Sequence, residues 1–153
     1  MSEILSKEII DIINEKDTRK VLATIDKNGI PHVVFKGSIH VNDAQNLVLY
    51  EILESSATNR NLVYSIWFDK LVAVNILSKD GISYEIIGKP VRSITAGQEF
   101  EQTYVAVREK LGDVELAAIW VIEPIAVRDE NLRSRFLKQE EEYPILKHLD
   151  RVK

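Results

Sequence analysis

The sequence contains no cysteine, which excludes disulfides, thiolate metal sites and cysteine nucleophiles together, without by itself identifying a compartment. Histidine is nearly as scarce, with only His32, His40 and His148. No two of them have the helical four-residue spacing of a metal pair and no metalloprotease pattern surrounds them, so hydrogen-bonded histidines are preferred to metal ligands. Positive charge is not in excess: 20 Lys+Arg stand against 24 Asp+Glu, a net charge of -4, which removes any general attraction for nucleic acid or anionic lipid. No apolar run approaches the about 20 residues that span a bilayer. The opening Met1-Ser2-Glu3-Ile4-Leu5 is acidic where a secretory signal is basic, so the expectation is a cytoplasmic protein with neither membrane nor nucleic-acid partners. Walker and dinucleotide phosphate loops are absent. Gly37-Ser38-Ile39-His40 reads as strand rather than as the strand-to-helix elbow that exposes a hydrolase serine.

What is present is globular in character, with 45% hydrophobic and 29% charged residues. A chain of 153 residues without repeats, low-complexity tracts or a Gly/Ser/Pro-rich linker is expected to form one domain spanning residues 1–153. Leu5, Ile9, Ile12 and Ile13 recur at helical spacing, predicting an amphipathic helix within residues 1–16. Two extended runs, 21–25 and 31–41, flank Asp26-Lys27-Asn28-Gly29, whose Asn-Gly pair suits a tight antiparallel hairpin. Gly37 interrupts the second run, as a glycine does at a bulge, a bend or a close approach.

A third strand is expected over 47–52, and then a short helix with Leu62/Ile66 and Val63/Trp67 at i,i+4. Residues 71–76 and the alternating Ile82, Tyr84 and Ile86 form a second hairpin through Asp80-Gly81. Thr95-Ala96-Gly97-Gln98 reads as a capping box for a helix with the stripe Phe100, Tyr104, Val107 and Leu111, stopped by Gly112. The last strand is placed over 116–127, with Pro124 implying an edge, a bulge or a nearby end. Residues 128–153 are read as a helical tail docked through Leu132, Phe136 and Leu137, its Glu140-Glu141-Glu142 run a solvated helix end. Tight turns replace the long crossovers of parallel sheets, so the fold class is mainly β, an antiparallel barrel with flanking helices.

One anion site suggests itself. Lys36 and Ser38 flank the bend in the second strand, and Ser56, Thr58 and Asn61 surround the start of the short helix, where free N–H groups and the helix dipole favour a phosphate. A strand lysine is ordinarily a solvated charge and a Ser/Thr cluster is ordinarily a cap, so these residues alone leave both readings open.

Residues 20–34, with Ala23-Thr24 before the turn and Gly29-Ile30-Pro31-His32 after it, resemble the opening hairpin of the pyridoxamine 5'-phosphate oxidase-like, FMN-binding split β-barrel family. Thr58-Asn59-Arg60-Asn61-Leu62 resembles the family's helix, and Ile86-Ile87-Gly88-Lys89-Pro90 its glycine-containing strand. The similarity runs in order from 20 to 127. It implies a homodimer with FMN at the interface, the phosphate and ribityl chain held by Lys36, Ser38, Thr58 and Asn61, and the ring facing the backbone around Val34 and Phe35. Trp67 and Trp120 are candidates for lining the ring or the interface, or for plain core. Ala57 stands where many members carry a lysine or arginine, which leaves the phosphate to Lys36, to Arg60, or weakly bound. The Arg-rich C-terminal signature of true pyridoxamine 5'-phosphate oxidases is absent. The resemblance therefore implies a flavin-dependent oxidoreductase of unspecified substrate, in which the cofactor carries the chemistry and no acid–base dyad is needed. The alternatives are a flavin carrier or electron-transfer module, and a degenerate split barrel that binds haem, a deazaflavin or nothing.

Overall fold

The computed structural model describes residues 4–144. Helix α1 (Lys7–Asn14) is capped by Ser6, whose hydroxyl accepts the Ile9 N–H, and it buries Ile9, Ile12 and Ile13. Strands β1 (Arg19–Ile25) and β2 (Pro31–Phe35) form the first hairpin. The run expected to continue to residue 41 breaks at 36–39 and resumes as the two-residue β3 (His40–Val41). Strand β4 (Leu47–Glu51) leads into α2 (Ala57–Phe68), and β5 (Val72–Leu77) pairs with the long β6 (Ser83–Ile94). Helix α3 (Gln98–Leu111), strand β7 (Ala118–Asp129) and helix α4 (Leu132–Glu142) complete the order.

All the strand pairings are antiparallel, in one sheet of order β2-β1-β5-β6-β7-β4-β3. That order forces the sheet to curl. Laid flat, six strand spacings would separate β2 from β3 by about 29 Å, but the chain from Phe35 to His40 can reach at most about 19 Å. The two edges are therefore drawn together at the 36–39 bend, where the Lys36 N–H donates to Lys20 O and the Ile39 N–H to Lys36 O.

Inside the curl lie Leu22, Val74, Ile76, Ile86, Leu47, Leu49, Trp120 and Ile122, closed by α1 and by Leu62 of α2. A second cluster forms on the other face of β4 and β7, where Val48 and Ile119 pack on Val107 of α3 with Phe100 and Tyr104. Residues 118–122 of β7 are consequently buried on both faces, which explains their unbroken apolar run. Pro124 is accommodated at a register shift between β6 and β7, so of the expected alternatives it marks a bulge in a central strand.

Three local expectations need correction. Helix α3 has Gly97 (φ 98°) at its N-cap and no side-chain cap bond; Gln98 is then the first helical residue, not the third that a capping box with Thr95 as N-cap requires. Leu111, at the end of the expected stripe, is exposed. The tail is helical but not docked by its apolar residues: α4 buries none, and Leu132, Phe136 and Leu137 are exposed. Its start is instead tied by Asn131, which accepts the Ser83 N–H and donates to Asp129. The end of the predicted tail, including His148, lies outside the described residues.

Candidate functional site

The bend that closes the sheet also organises the polar groups. On β1 the inward positions are Lys20, Leu22 and Thr24, so the period of two carries a lysine to the inner face at the strand's start. Lys20 is buried, and its Nζ donates to Ile13 O at the end of α1 (3.1 Å) and to Ile39 O at the bend (2.6 Å). Burial, reinforced by the positive charge of Lys110, holds its pKa below the ordinary lysine value. Lys36 pairs with Glu51, Nζ to Oε2 at 3.0 Å, and the carboxylate is only 1% exposed. The other Glu51 oxygen accepts the Leu53 N–H at 3.1 Å.

Ser38 spends its hydroxyl on Tyr50, donating to the carbonyl at 3.3 Å and accepting the N–H at 3.0 Å. This stitches the bend to β4. His40 Nδ1 lies 2.8 Å from Ser38 O, which fixes it as the N–H donor, and Nε2 lies 3.4 Å from the Tyr50 hydroxyl. The Tyr50 phenol is pushed above its usual pKa by burial and then by Glu99.

Lys20, Lys36, Ser38, His40 and Tyr50 border a cleft of about 740 Å³ between the end of α1, residues 35–40, Tyr50, Ile52 and the C-terminal half of α3. Four lysines line it, Lys16, Lys20, Lys36 and Lys110, against the single carboxylate Glu15. Glu51 neutralises Lys36, and Glu15 is engaged by Lys79 at 3.1 Å. Lys16, Lys20 and Lys110 have no ion-pair partner among the described residues.

The residues nominated from sequence thus divide. Phe35, Lys36 and Ser38 line the cleft. Val34 is half-buried on the inner face, paired with Leu22. Ser56, Thr58, Arg60 and Asn61 do not border the cleft. Ser56 caps α2 by accepting the Asn59 N–H, Thr58 is buried, and Asn61 is buried with its amide donating to Thr24 Oγ1 at 3.0 Å. Arg60 is exposed. Trp120 is core, its indole N–H donated to Asn59 Oδ1, whereas Trp67 is 79% exposed.

Ser56 and Asn61 spend their side chains within the fold, Thr58 is buried, Arg60 is exposed and Lys36 already has an anion in Glu51, so the α2 start does not line the cleft beside the bend. An acidic group does fit the lysine-lined cleft. Sequence reasoning missed Lys16, Lys20, Glu51 and Lys110. Only Lys20 carried a signal, as an inward-phased charge in an otherwise apolar strand. Among the described residues, no group of three or more His, Cys, Asp or Glu could hold a metal ion, and no helix is long and apolar enough to cross a membrane.

No protein-family model and no curated protein matches the sequence. Solved structures do match the fold. HupZ of Group A Streptococcus superposes with a TM-score of 0.68 at 18% identity, covering 84% of this chain and 95% of that one. An FMN-binding protein from Syntrophomonas wolfei gives 0.63 at 12% identity, over 82% and 88% of the two chains. Candidate pyridoxamine 5'-phosphate oxidases from two further bacteria match over 81% of this chain. The fold is the pyridoxamine 5'-phosphate oxidase-like split barrel. Split barrels of this kind are not confined to one ligand: HutZ, the heme storage protein of Vibrio cholerae, matches with a TM-score of 0.58 at 15% identity, over 80% of this chain and 92% of its own. At these identities the likeness is one of fold, and the ligand has to be argued from the cleft.

Proposed function

We propose that this protein is an FMN-binding flavoprotein acting as an oxidoreductase, with the flavin in the lysine-lined cleft beside the 36–39 bend. The observation that carries the reading is the meeting, in one cleft of about 740 Å³, of Phe35, Lys36 and Ser38 with three lysines that lack carboxylate partners. The size lies within the about 300–1,000 Å³ of small-molecule sites, and an unneutralised cationic wall suits a ligand with an aromatic body and an acidic end.

FMN, when bound, supplies hydride or electron transfer. The chain's own residues attract and orient it. Lys16, Lys20 and Lys110 attract its phosphate, the exposed Phe35 ring offers an apolar surface, and the Ser38–Tyr50 stitch keeps the bend in place. The protein is a homodimer in this reading. Val33, Phe35 and Trp67 are 64%, 71% and 79% exposed, and large apolar side chains left open in this way suit burial against a second copy. Its place is the cytoplasm.

The test is titration of ligand-free protein with FMN, followed by flavin absorption and fluorescence. Saturable binding supports the reading, and a protein that leaves the flavin spectrum unchanged removes it. NADH or NADPH oxidation by the loaded protein then separates an oxidoreductase from a flavin carrier.

A second reading has its own observation. His40 lines the same cleft, and its Nδ1 is tied to a backbone carbonyl, the arrangement that orients Nε2 of a metal-ligating histidine. Haem, with two acidic side groups for the lysines, is the ligand it would take. A hemin Soret band that shifts on adding the protein, the shift being lost in His40→Ala, would favour haem over flavin.

A further inference from the structure

We infer that Lys20 anchors an anion subsite on the inner wall of the cleft, where it takes the phosphate or carboxylate group of the ligand, with Lys16 and Lys110 as the outer cations. Lys20 is more than nine-tenths buried yet borders the cleft. An ammonium group has three N–H donors, and Lys20 uses two of them, both on neutral backbone carbonyls. The Ile13 carbonyl belongs to the last turn of α1, where the helix dipole favours a cation, so the fold holds the charge in place without neutralising it.

No carboxylate of the described residues completes the pair: Glu51 is committed to Lys36, and Glu15 to Lys79. Buried charges are ordinarily paired. Here the missing anion is one that the cleft can admit, and the depressed lysine pKa caused by burial and Lys110 agrees with an ammonium awaiting a counter-ion. A purely structural lysine, tethering α1 to the bend, would show the same two carbonyl bonds but would not respond to added anions.

The choice of FMN as ligand rests on the proposed function, but the subsite itself does not. It is tested with inorganic phosphate and, separately, succinate, each titrated at constant ionic strength into protein carrying 13C-labelled lysine, with the Lys20 side-chain resonance assigned by Lys20→Met. The expected result is a saturable shift of that resonance with at least one of the two anions, the responding anion giving the acid class. Affinity for it should fall tenfold or more in Lys20→Met and severalfold in Lys110→Gln. A Lys20 resonance that neither anion moves, or a folded Lys20→Met protein that binds the anion as tightly as the parent, overturns the inference. The wild-type titration decides alone if Lys20→Met does not fold, assignment then resting on through-bond correlation to the backbone. FMN binding that is equal in parent and Lys20→Met would remove the anchor and leave the flavin reading standing. A Lys20 response to phosphate in a protein that binds no flavin would do the reverse.

Discussion

Replacing Lys36 by methionine should destabilise the protein by about 3–5 kcal/mol, the usual cost of removing one member of a buried ion pair. The magnitude follows from what is left behind. Glu51 is 1% exposed, and without Lys36 its carboxylate keeps one donor, the Leu53 N–H. Against a total stability of about 5–15 kcal/mol for a typical domain, that is a large share. At about 2–4 °C per kcal/mol for a chain of this size, the melting temperature should drop by about 6–20 °C. Glu51→Gln should cost less, about 1–3 kcal/mol, because the amide keeps an acceptor for Leu53 and Lys36 is near enough to the surface to find water. The double variant Lys36→Met, Glu51→Leu removes both charges together and should recover most of the loss, since apolar replacement of a buried pair is often close to neutral. Urea denaturation followed by tryptophan emission reads all of these variants, Trp120 being buried in the core. A Lys36→Met protein within about 0.5 kcal/mol of the parent, or a double variant no more stable than Lys36→Met, would refute the assignment of Lys36 to Glu51 as its structural anion. The FMN affinity of a folded double variant should change far less than that of Lys20→Met.

A Cβ at position 88 would lie 2.4 Å from Ile122 Cγ2 and 3.4 Å from Glu123 O, so Gly88→Ala should cost about 1–3 kcal/mol. With Ile122→Ala added the two losses should sum to less than additivity, as read by thermal denaturation. The Asp129 carboxyl is held below its ordinary value of 3.8 chiefly by the Asn131 backbone N–H. Its contribution to anchoring α4 is therefore present above that value and lost as pH falls through the depressed pKa. Amide protection across α4, taken relative to the intrinsic exchange rate at each pH, should fall on acidification, and in Asp129→Ala it should already be low at neutral pH. If Val33 and Phe35 are covered by a second copy, Phe35→Asp should halve the mass seen by light scattering, and an unchanged mass would place the dimer contact elsewhere.

The antiparallel order, the Asn28-Gly29 hairpin and the helical spacing of α1 were legible because each depends on local periodicity or turn chemistry. The split of the second run into β2 and β3 was visible only as Gly37; that the sheet closes there depends on pairings between strands far apart in sequence, with β4 bonded on one side to β3 and on the other to β7 rather than to the next strand in the chain, β5. Site residues were harder for the same reason. Thr58 and Asn61 carry the right chemistry for a phosphate, but the curl turns both inward, and Asn61 meets Thr24 across 37 positions of sequence. Glu51 follows Tyr50 as a polar end to an apolar strand, and nothing local says that Lys36 will reach it. Lys20 was missed, although its inward phase on β1 was the one signal a period of two could have given. Its lack of an anionic partner depends on where Glu15 and Glu51 point, which only the folded chain decides.

The central claim, that an acidic flavin occupies the lysine-lined cleft, is tested most directly by comparing FMN with riboflavin on the ligand-free protein through flavin fluorescence. The two differ only in the phosphate. Both should bind saturably, with FMN at least tenfold tighter and the preference erased in Lys20→Met. Flavin fluorescence left unchanged by the protein, or equal affinity for FMN and riboflavin, would contradict it.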